Sequence, residues 1–262
     1  MQPLVSIIIP TYNRAHLIGE TLDSVIAQSY TNWECMVVDD GSTDYTEELM
    51  EFYCTRDSRF QYHHRPEDRI KGANACRNYG FERSEGILIQ YLDSDDLISK
   101  TKIEEQITLI SGNGSSIATT KWGVFNNRGR DFFDDLKAYK NFSNAKDFLK
   151  AMYKSYGYFP SHAYLINRSI IEKAGGWNER LKINQDGEFM IRIICNCDQF
   201  YFAKNSYVLY RASRSDSTSI ITQENIFDHY HCLKLIEAQL MIRFKEDIPE
   251  FEIIKRKAFL RI

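Results

Sequence analysis

The sequence predicts an α/β protein built on an open, largely parallel sheet, and three observations predict it. Strand and helix signals alternate regularly over residues 4–110. The run "GILIQYL" is apolar without alternation, as a strand covered on both faces must be. Turn-forming and acidic residues stand directly after the apolar runs, where an open sheet gathers its ligand-binding loops.

The elements follow in order. "LVSIII" is a strand ending at Pro10, and Ile18, Leu22, Val25 and Ile26 share one face of a helix over 17–27. "ECMVV" is a buried strand ending at Asp39, and Asp44 with Glu47 forms a capping-box pattern that opens a helix through Met50 and Phe52. "RFQYHH" is a third strand, "NACRNYGFERS" a third helix and "GILIQYL" a fourth strand. Ile103, Ile107 and Ile110 give the next helix its buried stripe, and "SGNGSS" at 111–116 marks a turn and a domain seam. Beyond it the pattern loosens. "NNRGRDFFDD" reads as a polar stretch, "NAKDFLKAMY" as helix, and "AYLINRSIIEKAGGWNE" as a short strand, a helix and a glycine stop. Ile226, Tyr230, Leu233, Ile236 and Leu240 place a long amphipathic helix over 223–245.

Composition narrows the function. The chain has 262 residues, 43% of them apolar, and a formal charge of −3, without the basic excess of a nucleic-acid binder. No window reaches the roughly 18 apolar residues of a spanning helix, and the amino terminus lacks the basic flank of a signal peptide, so a cytoplasmic location is expected. The six cysteines read as reduced core thiols, since Cys195 and Cys197 have no second pair to complete a zinc site. Neither GxxxxGK[ST] nor a GxGxxG after the first strand is present, which disfavours an ATPase or a nicotinamide enzyme.

Three strand ends carry chemistry: Pro10-Thr11-Tyr12-Asn13, Asp39-Asp40-Gly41-Ser42 and Asp93-Ser94-Asp95-Asp96. Each alone is ordinary turn composition. Together they crowd five carboxylates at one sheet edge, and two such charges 4 Å apart repel by about 4 kcal/mol at an effective dielectric near 20. A hard divalent cation, Mn²⁺ or Mg²⁺, would offset that repulsion, and such an ion favours a phosphate partner.

At this point "VSIIIPTYNR", "VVDDGSTD", "GANACRNYGF", "SEGILIQYLDSDD", "GGWNERL" and "QDGEFMIR" resemble, in order and spacing, the family 2 glycosyltransferases over residues 4–215. The resemblance implies a GT-A fold: a Rossmann-like mixed sheet flanked by helices, a smaller α+β acceptor part and a C-terminal helical tail. It divides the chain into a nucleotide-sugar-binding part at 1–113, an acceptor and catalytic-base part at 114–218, and the tail at 219–262. It also implies a nucleotide-diphosphate-sugar donor, commonly a UDP-sugar, and a glycan or lipid-linked acceptor, as in surface polysaccharide synthesis.

The resemblance assigns roles as well. Pro10, Thr11 and Tyr12 match the segment flanking the base, Asp40 the carboxylate on the uracil edge, and Asp39 its neighbour in the same pocket. A carboxylate accepting from the uracil N–H disfavours cytosine, which has no such donor. Asp93 and Asp95 match the DxD motif, with Asp93 toward ribose and metal, Asp95 on the metal and Asp96 as a helix cap. Lys71 stands where it would reach a phosphate. Arg77 either serves the donor site or pairs with the acidic strand ends. Asp186 matches the catalytic base of an inverting displacement, although Gln185 replaces the usual acid before it. Arg211 and Arg214, with Ser217 and Ser219, would form a diphosphate lid, while Ser213 stands where a metal-binding histidine is common. The amphipathic tail has two readings, peripheral contact with the inner face of a membrane or packing on the protein's own core. A non-catalytic nucleotide-sugar binder of the same fold is the alternative function, and a signalling receiver domain is disfavoured because the chain is too long and its acidic pair follows the second strand.

Overall fold

In the computed structural model, residues 2–110, 114–155, 158–212, 225–246 and 248–259 are described. The chain runs β1 (Val5–Thr11), α1 (Ala15–Ile26), β2 (Trp33–Asp39), α2 (Thr46–Arg56), β3 (Phe60–His64), α3 (Ala73–Arg83) and β4 (Leu88–Tyr91). It continues through β5 (Leu97–Ile98), α4 (Lys102–Ile110), β6 (Ser116–Asn126), β7 (Gly129–Phe132), α5 (Ala145–Ser155) and a 3-10 turn at Ser161–Ala163. β8 (Leu165–Asn167), α6 (Arg168–Ala174), α7 (Gln185–Cys195), β9 (Gln199–Arg211), α8 (Ile226–Phe244) and α9 (Pro249–Phe259) complete it.

One mixed sheet, ordered β3-β2-β1-β4-β8-β6-β9-β5 with β7 against β6, runs through both stretches of chain on either side of residue 113. β3, β2, β1 and β4 are parallel, and β8 lies antiparallel between β4 and β6 as the bridge. The order 3-2-1-4 reverses direction between β1 and β4, so the ends of β2, β1 and β4 open side by side onto one crevice.

Pro10 is tolerated inside β1 because of this geometry. Ile8, which faces β4, accepts the last bond on that side from the Leu92 amide, and Pro10 faces the same way beyond it. Its missing N–H costs no ladder bond. Gly80 sets α3 close to the sheet, since a Cβ there would stand 2.7 Å from Ile8 Cγ2 and 3.2 Å from Val38 Cγ2.

Several expectations need correction. Asp96 does not cap a helix: β5 follows it, α4 begins at Lys102, and its carboxyl accepts the Arg211 amide (2.7 Å) beside His162. The polar stretch "NNRGRDFFDD" contains the β6–β7 hairpin turn and strand β7, where an open glycine at φ +139 (Gly129) re-enters the sheet. Asp44 binds the start of α2 through the Thr46 amide and hydroxyl (3.2 and 2.5 Å), and also accepts the Ala15 amide of α1 (3.0 Å), so one carboxylate serves two helix starts. Of the tail's expected stripe Leu233, Ile236 and Leu240 are buried, together with His229 and Cys232, and the helix packs on α7, but Tyr230 is 45% exposed. All six cysteines are free, and five of them are buried.

Candidate active site

The crevice is built by the loops after β1 and β2, which are knitted together. Asn13, at φ +51, donates its amide to Ser42 Oγ (2.8 Å) and accepts the Thr43 amide (2.8 Å) on its side-chain oxygen. Asp39 is wholly engaged in shaping this wall: Oδ1 accepts from the Gly41 and Ser42 amides and the Ser42 hydroxyl, and Oδ2 accepts from Tyr62 at 2.5 Å. Asp40 is 7% exposed and takes a 2.5 Å ion pair from Arg65. Pro10 and Thr11 are buried in the strand, whereas Tyr12 is 43% exposed and carries the Lys71 ammonium 4.2 Å above its ring.

Across the crevice Asp93 and Asp95 are half-buried. Arg77 pairs with the acidic strand end: it is 7% exposed, donates to Asp93 (2.7 Å) and Asn74 (2.9 Å), and lies 4.4 Å over the Trp177 ring. Burial opposes the Asp93 charge, but Arg77 outweighs it and holds the carboxyl below its ordinary range. Asp95 goes the other way, raised by burial and then by the Asp93 charge, and no side chain among the described residues pairs with its carboxylate. Arg211 is anchored beneath the same loop. It donates to the Asp95 carbonyl (2.8 Å) and pairs with Glu20 (3.0 Å), while Arg214 lies outside the described residues.

Asp186 sits in the first turn of α7, after Asn184 in the left-handed region at φ +52. An aromatic clamp brings this turn to the strand ends. Trp177 stacks on Phe189 at 4.1 Å, and the Tyr91 ring, two residues before Asp93, packs edgewise on both at 5.2 and 5.6 Å. Asn78 of α3 fixes Trp177 through both its backbone amide (2.7 Å) and its carbonyl (2.9 Å). Burial raises the Asp186 carboxyl most; the Tyr158 hydroxyl opposes that, Asp93 raises it further and Arg77 lowers it, leaving a net rise. Gln185 does not face the same group, because its amide donates to the Lys182 carbonyl (3.1 Å).

Arg65, Tyr62, Tyr158 and Trp177 escaped the reading of the sequence as site residues. Arg65 stands just beyond β3, so the strand-end rule applied to a third strand would have found it; Tyr158 left no local signal. Below the DxD loop the polar core is equally hidden. Asp96 and His162 meet at 3.2 Å with both side chains 1% exposed, and burial drives His162 down to about 3 while Asp96 is raised well above its ordinary value.

A parallel 3-2-1-4 half-sheet whose strand ends hold an aromatic and a carboxylate pair, joined by the antiparallel β8 to a mixed half in which β6 and β9 run parallel, defines a GT-A protein. Its likeness to S. aureus TarS 1–349 in complex with UDP-GlcNAc has a TM-score of 0.77 at 22% identity and covers 94% of this chain and 69% of that one. Residues 6–175 match the glycosyl transferase family 2 description, and the chain belongs to that family. An uncharacterized glycosyltransferase of Rickettsia felis is 39% identical over 126 residues, which are 48% of this chain and 20% of that protein. The Escherichia coli UDP-Glc:α-D-GlcNAc-diphosphoundecaprenol β-1,3-glucosyltransferase WfgD is 38% identical over 125 residues, 47% of each chain. The matched stretch thus spans half or less of these curated relatives, and the family match ends before Asp186.

Proposed function

We propose that the chain is an inverting glycosyltransferase that moves a hexosyl or N-acetylhexosaminyl group from a UDP-sugar to a hydroxyl of a glycan or lipid-linked acceptor, in the synthesis of a surface polysaccharide. The observation that carries the reading is the meeting of Asp186 with the Asp93–Asp95 strand end through the Tyr91–Trp177–Phe189 clamp. Asp186 removes the acceptor's proton as its oxygen attacks the anomeric carbon, and a carboxyl raised toward the working pH suits a general base. Tyr12 with Lys71 offers an aromatic face and a cation to base and phosphate, and Asp40 keeps one oxygen beyond its Arg65 pair for the uracil N–H.

The donor set also fits Mn²⁺ or Mg²⁺. Asp95 is a raised carboxyl with no ion-pair partner among the described residues, next to a second carboxylate, and such a pair suits a hard cation that completes its shell from phosphate and water. No three metal-ligating side chains converge among the described residues, so the proposed cation takes two carboxylates from the chain. Bound there, the cation would offset charge developing on the departing diphosphate. The names of TarS and WfgD support a UDP-sugar donor, and that of WfgD a lipid-linked acceptor.

The test is UDP release from UDP-glucose, UDP-galactose, UDP-GlcNAc and UDP-GalNAc, with Mn²⁺, with Mg²⁺ and with chelator, in the presence of candidate acceptors. Metal-dependent release from one donor, accelerated by an acceptor, is expected; donor binding with no turnover under any condition would leave a non-catalytic binder. We propose peripheral membrane contact as well, since an acceptor on a lipid must be met at the bilayer. Among the described residues no helix is long and apolar enough to cross one. Flotation with anionic vesicles is expected to carry the protein upward, and a protein confined to the bottom fraction removes the proposal.

A further inference from the structure

Resting on Asp186 as the base, we infer that Asn78 is a positioning residue: its carboxamide ties the loop leading into α7 to the helix that holds Asp93, and so sets the spacing between base and donor. Asn74, Arg77 and Asn78 stand at i, i+3 and i+4 in α3 and therefore share one face. That face grips the loop after α6 at three consecutive residues. Asn78 donates through Nδ2 to the Trp177 carbonyl (2.9 Å) and to Glu179 Oε1 (2.9 Å), and its Oδ1 accepts the Trp177 amide (2.7 Å). Asn74 Nδ2 donates to the Asn178 carbonyl (2.8 Å).

What the loop carries gives this grip its consequence. Trp177 stacks on Phe189 at 4.1 Å, and Phe189 lies one turn after Asp186 in α7. The loop is held from behind as well, since Arg192 of α7 donates to the Ala174 and Gly175 carbonyls (2.9 and 2.8 Å). Loop and α7 are thereby one piece. Toward the donor strand end the tie is Arg77, the residue before Asn78, which donates to Asp93 (2.7 Å). One turn of α3 therefore holds the strand end on one side and the base-bearing piece on the other, and Asn78 supplies both backbone bonds to Trp177. A base misplaced by about 1 Å can cost on the order of 100-fold in rate, which gives the tie a consequence for turnover.

Gly176 bears on the same carboxamide from the other side. A Cβ there would meet Asn78 Oδ1 at 2.6 Å, Cγ at 3.2 Å and Nδ2 at 3.5 Å, nearer than any other residue. Gly176 does not stand at positive φ, so its backbone accepts alanine and what excludes a methyl is the carboxamide. Gly176→Ala therefore displaces the Asn78 side chain without altering α3. In Asn78→Ala the same methyl no longer clashes.

The experiment uses the full chain with its three tryptophans replaced by 5-fluorotryptophan, and the Trp177 fluorine signal is assigned by its loss in Trp177→Phe. Asn78→Ala, Gly176→Ala and the double variant are compared with wild type for that signal, for UDP-binding sites counted by calorimetry, and for UDP release from UDP-glucose or UDP-GlcNAc, whichever the donor screen selects. In all three variants the Trp177 signal is expected to shift and kcat per UDP-binding site to fall about 10- to 100-fold, with donor KM unchanged. The double variant should be no worse than either single one, because both act through one carboxamide. A Trp177 signal that stays put overturns the inference. So does a loss of activity matched by an equal loss of UDP-binding sites, which is what a side chain serving only the fold would give. Additive losses overturn it too, since Gly176 would then act by another route. If Asp186→Asn itself retains turnover, the base assignment fails and the positioning role goes with it; an inactive Asp186→Asn beside a wild-type kcat per site in Asn78→Ala sinks the inference alone.

Discussion

At the scale of single residues the site separates groups that shape from groups that act. Asp39 accepts four hydrogen bonds and belongs to the wall, whereas Asp95 has no partner side chain among the described residues and is free to meet a ligand. Asp186 stands apart from both because the proposed mechanism gives it to the acceptor. Asp186→Asn keeps the shape and removes the basic oxygen, so turnover in the UDP-release assay should fall about 10²- to 10⁴-fold. Calorimetric UDP affinity should be unaltered. Gln185→Ala removes only a local bond to the Lys182 carbonyl, and its turnover should stay within about threefold of wild type, the scale of one neutral hydrogen bond.

Among the elements, α3 and α4 decide how well the crevice is framed. α3 presents Arg77 to Asp93 only because Gly80 lets it approach β1 and β2. Gly80→Ala overpacks that contact and should cost about 1–3 kcal/mol, seen as a lower thermal midpoint with Ile8 and Val38 as the clashing partners. α4 instead sends a wholly buried Lys102 into the core, where it bonds the Gln90 side-chain oxygen and the Tyr164 carbonyl (3.2 Å). Burial holds its ammonium well below the ordinary lysine value. Between that depressed value and about 10.4 the unfolded chain binds a proton that the folded one does not. This contribution is complete above the unfolded value and is lost as pH falls. In Lys102→Met the slope of unfolding free energy against pH should therefore be lower than wild type by up to about 1.4 kcal/mol per pH unit in that window. Denaturant melts at several alkaline pH values measure it, and equal slopes would mean that the buried amine keeps its proton.

For the molecule as a whole, β8 and the aromatic clamp make one sheet and one crevice from two stretches of chain, and α8 braces the result by packing on α7 beside Asn184. Ligand binding should consequently stabilise the entire fold. UDP with Mn²⁺ at 100 times its dissociation constant is expected to add about 2.7 kcal/mol, read as a raised melting temperature. Asp95→Asn should abolish the difference between Mn²⁺ and chelator. An unchanged metal dependence in that variant would remove the strand end after β4 as the cation site.

The sequence by itself determined the α/β alternation, the strand ends and the residues standing on them, because apolar periodicity and turn composition are local properties of the chain. It also carried the family motifs through which Asp93, Asp95 and Asp186 were singled out. It did not reveal β6, β7 or β9, whose residues are stabilised by pairing with one another and not by their own pattern. Nor did it show that Arg65 pairs with Asp40 or that Arg77 is tied to Asp93 under Trp177. Those contacts join residues from different strands, helices and loops, and only closure of the sheet around β8 decided which charges would be neutralised and which left for a ligand.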